Sequence, residues 1–199
     1  MNGANISASR AARLEEERLK RELDLKNKRF ALLIWRIANG GLFAFFILAN
    51  SLMRQTQTTW PPPGISRLDA TIPALISVGL LLSALTASRV LAAIRRDDRE
   101  SAQRNIALTL ALGVAFLVGI AFVWRQVHPG GSYTAIFFTM TGFHAFHVLA
   151  GMLLFGYVFR KLQRGAYTSD NYWSAEATVI FWHFVDLMWL LYFVVLYII

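Results

Sequence analysis

The chain has 199 residues, 56% of them apolar, a formal charge of +8 and no cysteine. This apolar content is too high for a soluble domain of this length and is typical of a protein that crosses the membrane several times. The absence of cysteine excludes disulfides, thiolate metal sites and cysteine nucleophiles. The positive charge does not indicate nucleic-acid binding, because basic residues in short segments beside apolar runs are the usual orientation signal of membrane proteins.

Residues 1–29 form a charged N-terminal arm. From Ser9 onward the arm favours helix, and acidic and basic residues stand four positions apart at Glu16–Lys20, Glu17–Arg21, Glu22–Lys26 and Asp24–Lys28. Two interpretations stay open: a solvated helix lying at the membrane surface, or a docking arm for a partner subunit. We expect no cleaved signal peptide, because the first apolar run follows this charged segment and is long enough to span the membrane.

Residues 30–199 predict an all-α membrane domain of five transmembrane helices. The apolar runs, 30–53, 71–94, 106–124, 133–159 and 175–199, are each close to the ~20 residues that cross ~30 Å of hydrocarbon. Helices are expected because every backbone amide in lipid needs a partner within its own segment. The proline-rich residues 60–65 separate the first two runs, and residues 97–99 and 128–132 make later turns. No internal repeat or second folded domain is indicated.

The distribution of Lys and Arg predicts the orientation. If consecutive runs alternate in direction, fifteen basic residues lie on the side of the arm and of the loops between runs two and three and runs four and five. The opposite side has three, Arg54, Arg67 and Arg125. By the positive-inside rule the N-terminus is cytoplasmic and the C-terminus faces outward.

Ionisable residues interrupt the last two apolar runs. His144 and His147 stand three positions apart in the fourth run, and His183 and Asp186 do so in the fifth. Such groups cost several kcal/mol each in hydrocarbon unless they are paired, so they mark functional or assembly sites. Each pair shares one helix face at this spacing.

Depth along the helices predicts which of these groups meet. At ~1.5 Å per residue, Asp186 lies ~13 Å from the inner boundary and His147 ~18 Å. Polar residues of the first run enter from the same side to ~9–13 Å. We therefore predict a buried polar network of Arg36, Asn39, His144, His147, His183 and Asp186.

The chemistry of this network stays open at this point. The imidazoles could ligate haem or, with the carboxyl group, a transition metal, or they could form a proton relay. A structural cluster that joins helices and contacts lipid or a neighbouring subunit is favoured, because only one helix carries two histidines. At the inner boundary, Glu176 could anchor the fifth helix or gather protons. The basic residues Arg160, Lys161 and Arg164 are candidates for anionic lipid headgroups.

Small and aromatic side chains predict the packing of the last two helices. Gly142, Ala145, Ala150 and Gly151 would allow close helix contact in lipid. The many Phe, Tyr and Trp residues of both runs are interpreted as packing or interface residues.

Two motifs in the last third of the chain resemble subunit III of the haem–copper terminal oxidases, the cytochrome c oxidase subunit 3 family. Residues 141–147 read TGFHAFH and are followed by Gly151, and residues 182–186 read WHFVD after Glu176 and before Trp189. The WPPPGI sequence of residues 60–65 is also similar to the family. The resemblance covers residues 29–199 and is to the short, five-helix bacterial form. Asn39 stands where many members carry a buried glutamate.

The resemblance implies a multi-pass subunit of the bacterial inner membrane that carries neither haem nor copper and no catalytic centre. Haem and copper would be held by partner subunits of a proton-pumping oxidase that reduces O2 to water, with catalytic subunit I beside this chain. The family holds structural phospholipids and supports oxygen delivery, proton uptake and the durability of the catalytic core. Cytochrome c is the expected electron donor, and membership of a respiratory supercomplex stays open.

Other functions stay open beside this one. Two alternatives belong to similar complexes: an accessory subunit of a quinol oxidase and an accessory subunit of a nitric oxide reductase. Two others are of different classes: a membrane b-type cytochrome and a small-molecule transporter. The inverted repeats and broken helices typical of transporters are not visible in the sequence.

Overall fold

The computed structural model describes residues 2–62, 68–128, 130–168 and 171–199, with side chains from residue 10 onward. Their α-helices are α1 (Asn2–Gln55), α2 (Thr71–Ile94), α3 (Arg99–Gln126), α4 (Gly131–Gln163) and α5 (Trp173–Phe193), and a π-helical segment, Val194–Ile198, follows α5. Five helices are long and apolar enough to cross a membrane, which confirms the predicted all-α membrane fold. Residues 63–65 of the proline-rich break and Pro129 of a predicted turn lie outside the described residues.

The helix boundaries follow the predicted apolar runs, and α1, α3 and α4 extend beyond them. The second run and α2 coincide at 71–94, and α3 and α4 extend a few polar residues beyond their runs. The first run is instead part of a 54-residue helix that also contains the charged arm. The chain forms two compact units, residues 1–39 and residues 40–199, whose boundary differs from the predicted end of the arm at residue 29. The proposed functional division at residue 29 stays a prediction.

Ion pairs four residues apart line the arm. The predicted pairs Glu16–Lys20 and Asp24–Lys28 form at 2.7 and 2.5 Å. Glu22 pairs with Arg18 at 3.4 Å, although Lys26 also stands four positions from it. Both basic residues are four positions from Glu22, so spacing alone does not choose between them.

Local signals set the ends of the helices at one side of the bundle. The Asp98 carboxylate caps α3 by accepting the Ser101 backbone N–H at 3.0 Å. After α4, Gly165 adopts φ +64°, and the amides of Gly165 and Ala166 bond the carbonyls of Leu162 and Lys161. This is a Schellman motif, whose left-handed position favours glycine.

Helices α2 to α5 form a closed ring in which each contacts two neighbours: α2 with α3, α3 with α4, α4 with α5, and α5 with α2. The second half of α1 joins this ring through Phe43, which is fully buried. The Phe43 ring lies 4.9 Å from Phe143 of α4 and 5.8 Å from Phe184 of α5, measured between ring centroids. Many of the buried side chains are aromatic, and His144, His147 and Asp186 are buried with them.

Candidate functional site: the buried polar groups of the helix ring

Trp182 of α5 lies at the centre of the ring and contacts all three other helices. Its indole Nε1 donates to the Ser83 hydroxyl of α2 at 2.9 Å. The ring fits against glycines of α3 and α4: a Cβ added to Gly113 would lie 3.1 Å from it, and one added to Gly151 only 2.7 Å. The close approach predicted for Gly151 is therefore confirmed, and its physical reason is the room that this indole needs.

Trp189 repeats the arrangement two turns further along α5. Its Nε1 donates to the Ser77 hydroxyl of α2 at 2.7 Å. Its ring centroid lies 4.7 Å from that of Phe116 in α3 and 5.0 Å from that of His144 in α4. Two fully buried tryptophans therefore hold the same four helices together at two levels.

Three further hydrogen bonds join neighbouring helices of the ring. Thr86 of α2 and Thr109 of α3 bond through their hydroxyls at 2.7 Å. Trp124 of α3 donates to the Thr141 hydroxyl of α4 at 2.9 Å. The half-buried His183 of α5 bonds the Ser88 hydroxyl of α2 through Nε2 at 3.0 Å. Each such bond in a membrane bundle contributes about 0.6 kcal/mol on average.

His144 and Asp186 are buried without a hydrogen bond to any residue that the structure describes. His144 is fully inaccessible, and neither of its ring nitrogens has a partner. Its imidazole packs against Phe116, at 5.3 Å between centroids, as well as against Trp189. Asp186 is 5% exposed, and neither carboxyl oxygen has a partner. Buried polar atoms of this kind require an explanation, because an unmade hydrogen bond is costly.

His147 is also buried, but its Nδ1 lies 2.8 Å from the Phe143 carbonyl one turn earlier in α4. Its ring packs among aromatic rings, with centroids 5.1 Å from Phe43 and 6.5 Å from Phe181. His144 and His147 thus lie in adjoining aromatic surroundings of α4.

The predicted polar network has members in both compact units. Asn39, in residues 1–39, donates its side-chain amide to the Trp35 carbonyl at 2.9 Å. The histidines and Asp186 belong to residues 40–199, where His183 bonds α2 and His147 bonds its own helix. A network that joins all six residues, including Arg36, stays a prediction.

A second polar cluster lies where α2 ends and α5 begins. Glu176, predicted as a boundary acid, lies 3.8 Å from Arg95 of the α2–α3 turn. The Arg95 guanidinium also sits 4.9 Å from the centroid of the Tyr172 ring. The two contacts connect the beginning of α5 to the end of α2.

Lys161, a candidate for binding lipid headgroups, instead contacts residues of its own chain. Its ammonium donates to the Ser174 hydroxyl at 3.2 Å and lies 5.0 Å from the centroid of the Tyr167 ring. Burial raises the pKa of the Tyr167 phenol, and the hydrogen bond to Ser174 partly offsets this rise. The other two candidates, Arg160 and Arg164, are exposed.

Sequence reasoning missed the hydroxyl residues of α2 and α3 that form hydrogen bonds with other helices. Ser77, Ser83 and Ser88 bond Trp189, Trp182 and His183, and Thr86 and Thr109 bond each other. The available signal was the clustering of small hydroxyl residues in the predicted second helix, since such residues join helices in lipid.

The fold and these hydrogen bonds define the class of the protein. It is a polytopic helical membrane protein whose interior polar groups mostly bond other helices or their own backbone. Among the described residues, no three His, Asp or Glu side chains gather as a metal site would require. The hydrogen bonds instead connect α2 with α3 and α5, and α3 with α4.

Comparison with known proteins identifies the family. The family model of cytochrome c oxidase subunit III matches residues 32–199. Cytochrome c oxidase subunit 3 of Synechocystis sp. is 30% identical over 84% of this chain and 74% of its own length. Cytochrome c oxidase subunit 3 of Thermostichus vulcanus is 31% identical over 80% of this chain and 79% of its own length. The probable cytochrome c oxidase subunit 3 of Mycobacterium bovis is 29% identical over 79% of this chain and 78% of its own length. The chain therefore belongs to the cytochrome c oxidase subunit III family, and its function is that of a subunit III of a haem–copper oxidase.

Proposed function

We propose that this chain supports the catalytic subunit of a cytochrome c oxidase and carries no redox centre itself. The observation that carries the structural role is the pair of tryptophan layers: Trp182 and Trp189 each contact α2, α3 and α4. These contacts occupy the ring interior with side chains that stabilise the bundle. Such a rigid bundle can shield one face of a neighbouring subunit, subunit I, and slow its inactivation.

The proposal includes a place in the cell. The chain is a multi-pass membrane protein, and fifteen basic residues against three favour a cytoplasmic N-terminus. We place it in a bacterial inner membrane, with the C-terminus outside. The exposed Arg160 and Arg164 then face the inner leaflet, where they can bind anionic phospholipid headgroups.

The proposed role of the polar network is structural. Arg36, Asn39, His147, His183 and Asp186 would compensate one another across the first and last two helices, with His144 beside them. Glu176 would anchor the beginning of α5 through Arg95, which lies 3.8 Å away. Mutual compensation is what makes ionisable groups tolerable in hydrocarbon.

Purification of a tagged chain from native membranes tests the function. We expect a haem–copper subunit to co-purify, and the complex to oxidise reduced cytochrome c. Turnover only with a quinol, or reduction of nitric oxide, would replace the proposed complex by one of the alternatives. The chain expressed alone should show no Soret band in a reduced-minus-oxidised spectrum, since such a band would identify a b-type cytochrome.

Deletion of the chain tests the supporting role. The oxidase that lacks it should begin turnover at a normal rate and then lose activity faster than the complete complex. Equal inactivation rates in the two preparations would contradict the role.

A further inference from the structure

An exposed stripe of apolar side chains runs along α2 on the side that faces away from the ring. Leu75 is 72% exposed, Val78 55%, Leu82 50% and Leu85 57%. Arg89 is also exposed and continues the stripe toward the end of the helix. At 100° per residue, these residues all lie within about 60° of Leu82 around the helix. The alternating spacing of 3 and 4 positions is that of a helix-pairing seam.

Arg89 places a positive charge within this membrane span. α2 ends at Ile94, so Arg89 lies ~7.5 Å before the end of the helix. No described residue forms a hydrogen bond or an ion pair with its guanidinium. The neighbouring Ser88 is exposed and bonds His183 at 3.0 Å, so further polar groups lie at the same level. A charged group in a membrane span needs a partner and marks a functional or assembly site.

The charge decides what covers the stripe, because its apolar members do not. Lipid tails are as apolar as leucine, so an apolar seam alone attracts no helix in a membrane. The tails also bring no counter-charge to Arg89. Phospholipid phosphates lie beyond the hydrocarbon, at the level of the exposed Arg95 and Arg96. The Cα–Cβ bonds of a helix lean toward its N-terminus, so the Arg89 side chain leaves α2 in the direction away from these phosphates.

A second copy of this chain does not supply the counter-charge. The five apolar runs contain two acidic residues, Glu176 and Asp186. Glu176 lies 3.8 Å from Arg95, and Asp186 is buried. Two copies related by an axis along the membrane normal would also hold Arg89 of each copy at one depth, where like charges disfavour pairing. The stripe therefore fits a transmembrane helix of different sequence that carries Asp or Glu.

We propose that this stripe of α2 binds a transmembrane helix of a different chain, whose carboxylate forms an ion pair with Arg89. The proposal rests on the proposed function in one respect: the partner helix belongs to the oxidase complex. A carboxylate and a guanidinium at one depth compensate each other in hydrocarbon. The apolar members of the stripe then pack against the partner as they do in membrane helix pairs.

Photo-crosslinking in the intact complex tests the proposal. A benzoylphenylalanine replaces Leu85, about one turn before Arg89, or, as control, Leu153 of α4, which is 77% exposed. α4 contacts α3 and α5, so it lies across the ring from α2. We expect position 85 to crosslink to a transmembrane segment of another chain that contains Asp or Glu, and position 153 not to reach that segment. Crosslinks from position 85 to lipid alone, to this chain or a second copy of it, to a segment without an acidic residue, or to the segment that position 153 reaches would overturn the proposal.

Substitutions of Arg89 supply an independent readout. R89L makes the span more apolar, so the chain should still insert, but the yield of the crosslink from position 85 should fall at least about tenfold. R89K should retain most of the yield. R96L is the charge-matched control in the exposed turn after α2 and should leave the yield unchanged. A yield that responds equally to R89L and R96L would contradict the ion pair.

Charge exchange identifies the partner group. R89E should lower the yield, and replacement of the acidic residue of the crosslinked segment by Lys should restore it in the R89E background. The absence of any restoration would contradict the proposed pair. If no haem–copper subunit co-purifies, the proposed function fails. A crosslink in native membranes from position 85 to an acidic transmembrane segment of another chain would then still support the ion pair.

Discussion

The indole Nε1 of Trp189 and the hydroxyl of Ser77 lie 2.7 Å apart and join α5 to α2 across the interior of the ring. The same hydroxyl donates to the Pro73 carbonyl at 2.6 Å. Ser77 therefore accepts from one helix and donates to the backbone of its own, so both groups of this buried pair are satisfied.

Substitution of Trp189 and substitution of Ser77 should each destabilise the bundle, for different physical reasons. Trp189→Phe loses one hydrogen bond and leaves a cavity where part of the indole was, so we expect a loss of about 2–3 kcal/mol in unfolding free energy. Ser77→Ala leaves a buried indole N–H without an acceptor and should cost about 1–3 kcal/mol. Thermal unfolding of the purified protein in detergent measures both changes. The double variant should lose less than the two losses combined, and strict additivity would contradict the coupling.

The glycine contact with Trp182 gives a second prediction with a matched control. Gly151→Ala places a methyl group 2.7 Å from the indole ring, and overpacking of this kind costs about 1–3 kcal/mol. Gly156→Ala, also in α4, meets no atom within 4 Å and should be neutral or stabilise by up to about 1 kcal/mol through helix propensity. The two midpoints of thermal unfolding should move in opposite directions or differ clearly. Similar midpoints would mean that α4 and α5 separate easily.

Asp186 tests the predicted network. If its carboxylate is compensated by the network, Asp186→Leu should lower the yield of assembled complex strongly, because breaking a buried pair costs about 3–5 kcal/mol. The assembled fraction should keep near-normal turnover per haem, since the proposed role is structural. Unchanged or higher yield would show that the carboxyl group has no partner in the complex. Loss of turnover with normal assembly would indicate a proton relay.

Asp69, just before α2, gives a pH-dependent prediction. Hydrogen bonds from the backbone N–H and the hydroxyl of Thr71 lower the pKa of its carboxyl below the ordinary 3.8. The native state thus favours the ionised form. The stabilisation is complete above pH 3.8 and is lost as the pH falls through the lowered native pKa. In a carboxyl NMR titration, Thr71→Val should raise the pKa of Asp69 and Thr71→Ser should preserve it. A native pKa at or above 3.8 would contradict these contacts.

The exposed basic residues after α4 give a prediction about lipid. Arg160→Gln combined with Arg164→Gln should reduce the anionic phospholipid that co-purifies with the complex, because each Arg near the surface contributes about 1 kcal/mol to such binding. Arg125→Gln, at the opposite end of the membrane spans, is the charge-matched control. Mass spectrometry of extracted lipids measures the effect. Identical lipid content in both variants would remove these arginines from the proposed lipid site.

Much of the fold could be predicted because it depends on one-dimensional signals. Each apolar run that is long enough to cross the membrane predicts one helix, and the run at 71–94 has the same bounds as α2. The charged arm was expected to be helical, but its continuity with the first span was not, because apolar length says only how much helix lies in hydrocarbon.

The site was less predictable for a physical reason. Spacing along a helix says which residues share a face, but not which helix that face meets or how the helix is rotated. His183 and Asp186 are three positions apart, yet His183 bonds α2 and Asp186 has no hydrogen-bond partner among the described residues. The partners of Trp182 and Trp189 likewise depend on the closure of the ring, which no local pattern encodes.

The tryptophan layers also bear on biosynthesis. Since α5 follows α2, α3 and α4 in the chain, those three helices enter the membrane before the side chains that will join them exist. Until then, Gly113 and Gly151 leave an unfilled notch, and the hydroxyls of Ser77 and Ser83 have only their own helix to bond. The arrival of α5 fills the notch and engages both hydroxyls, so the contacts of Trp182 and Trp189 form last, after the Thr86–Thr109 and Trp124–Thr141 bonds have become possible.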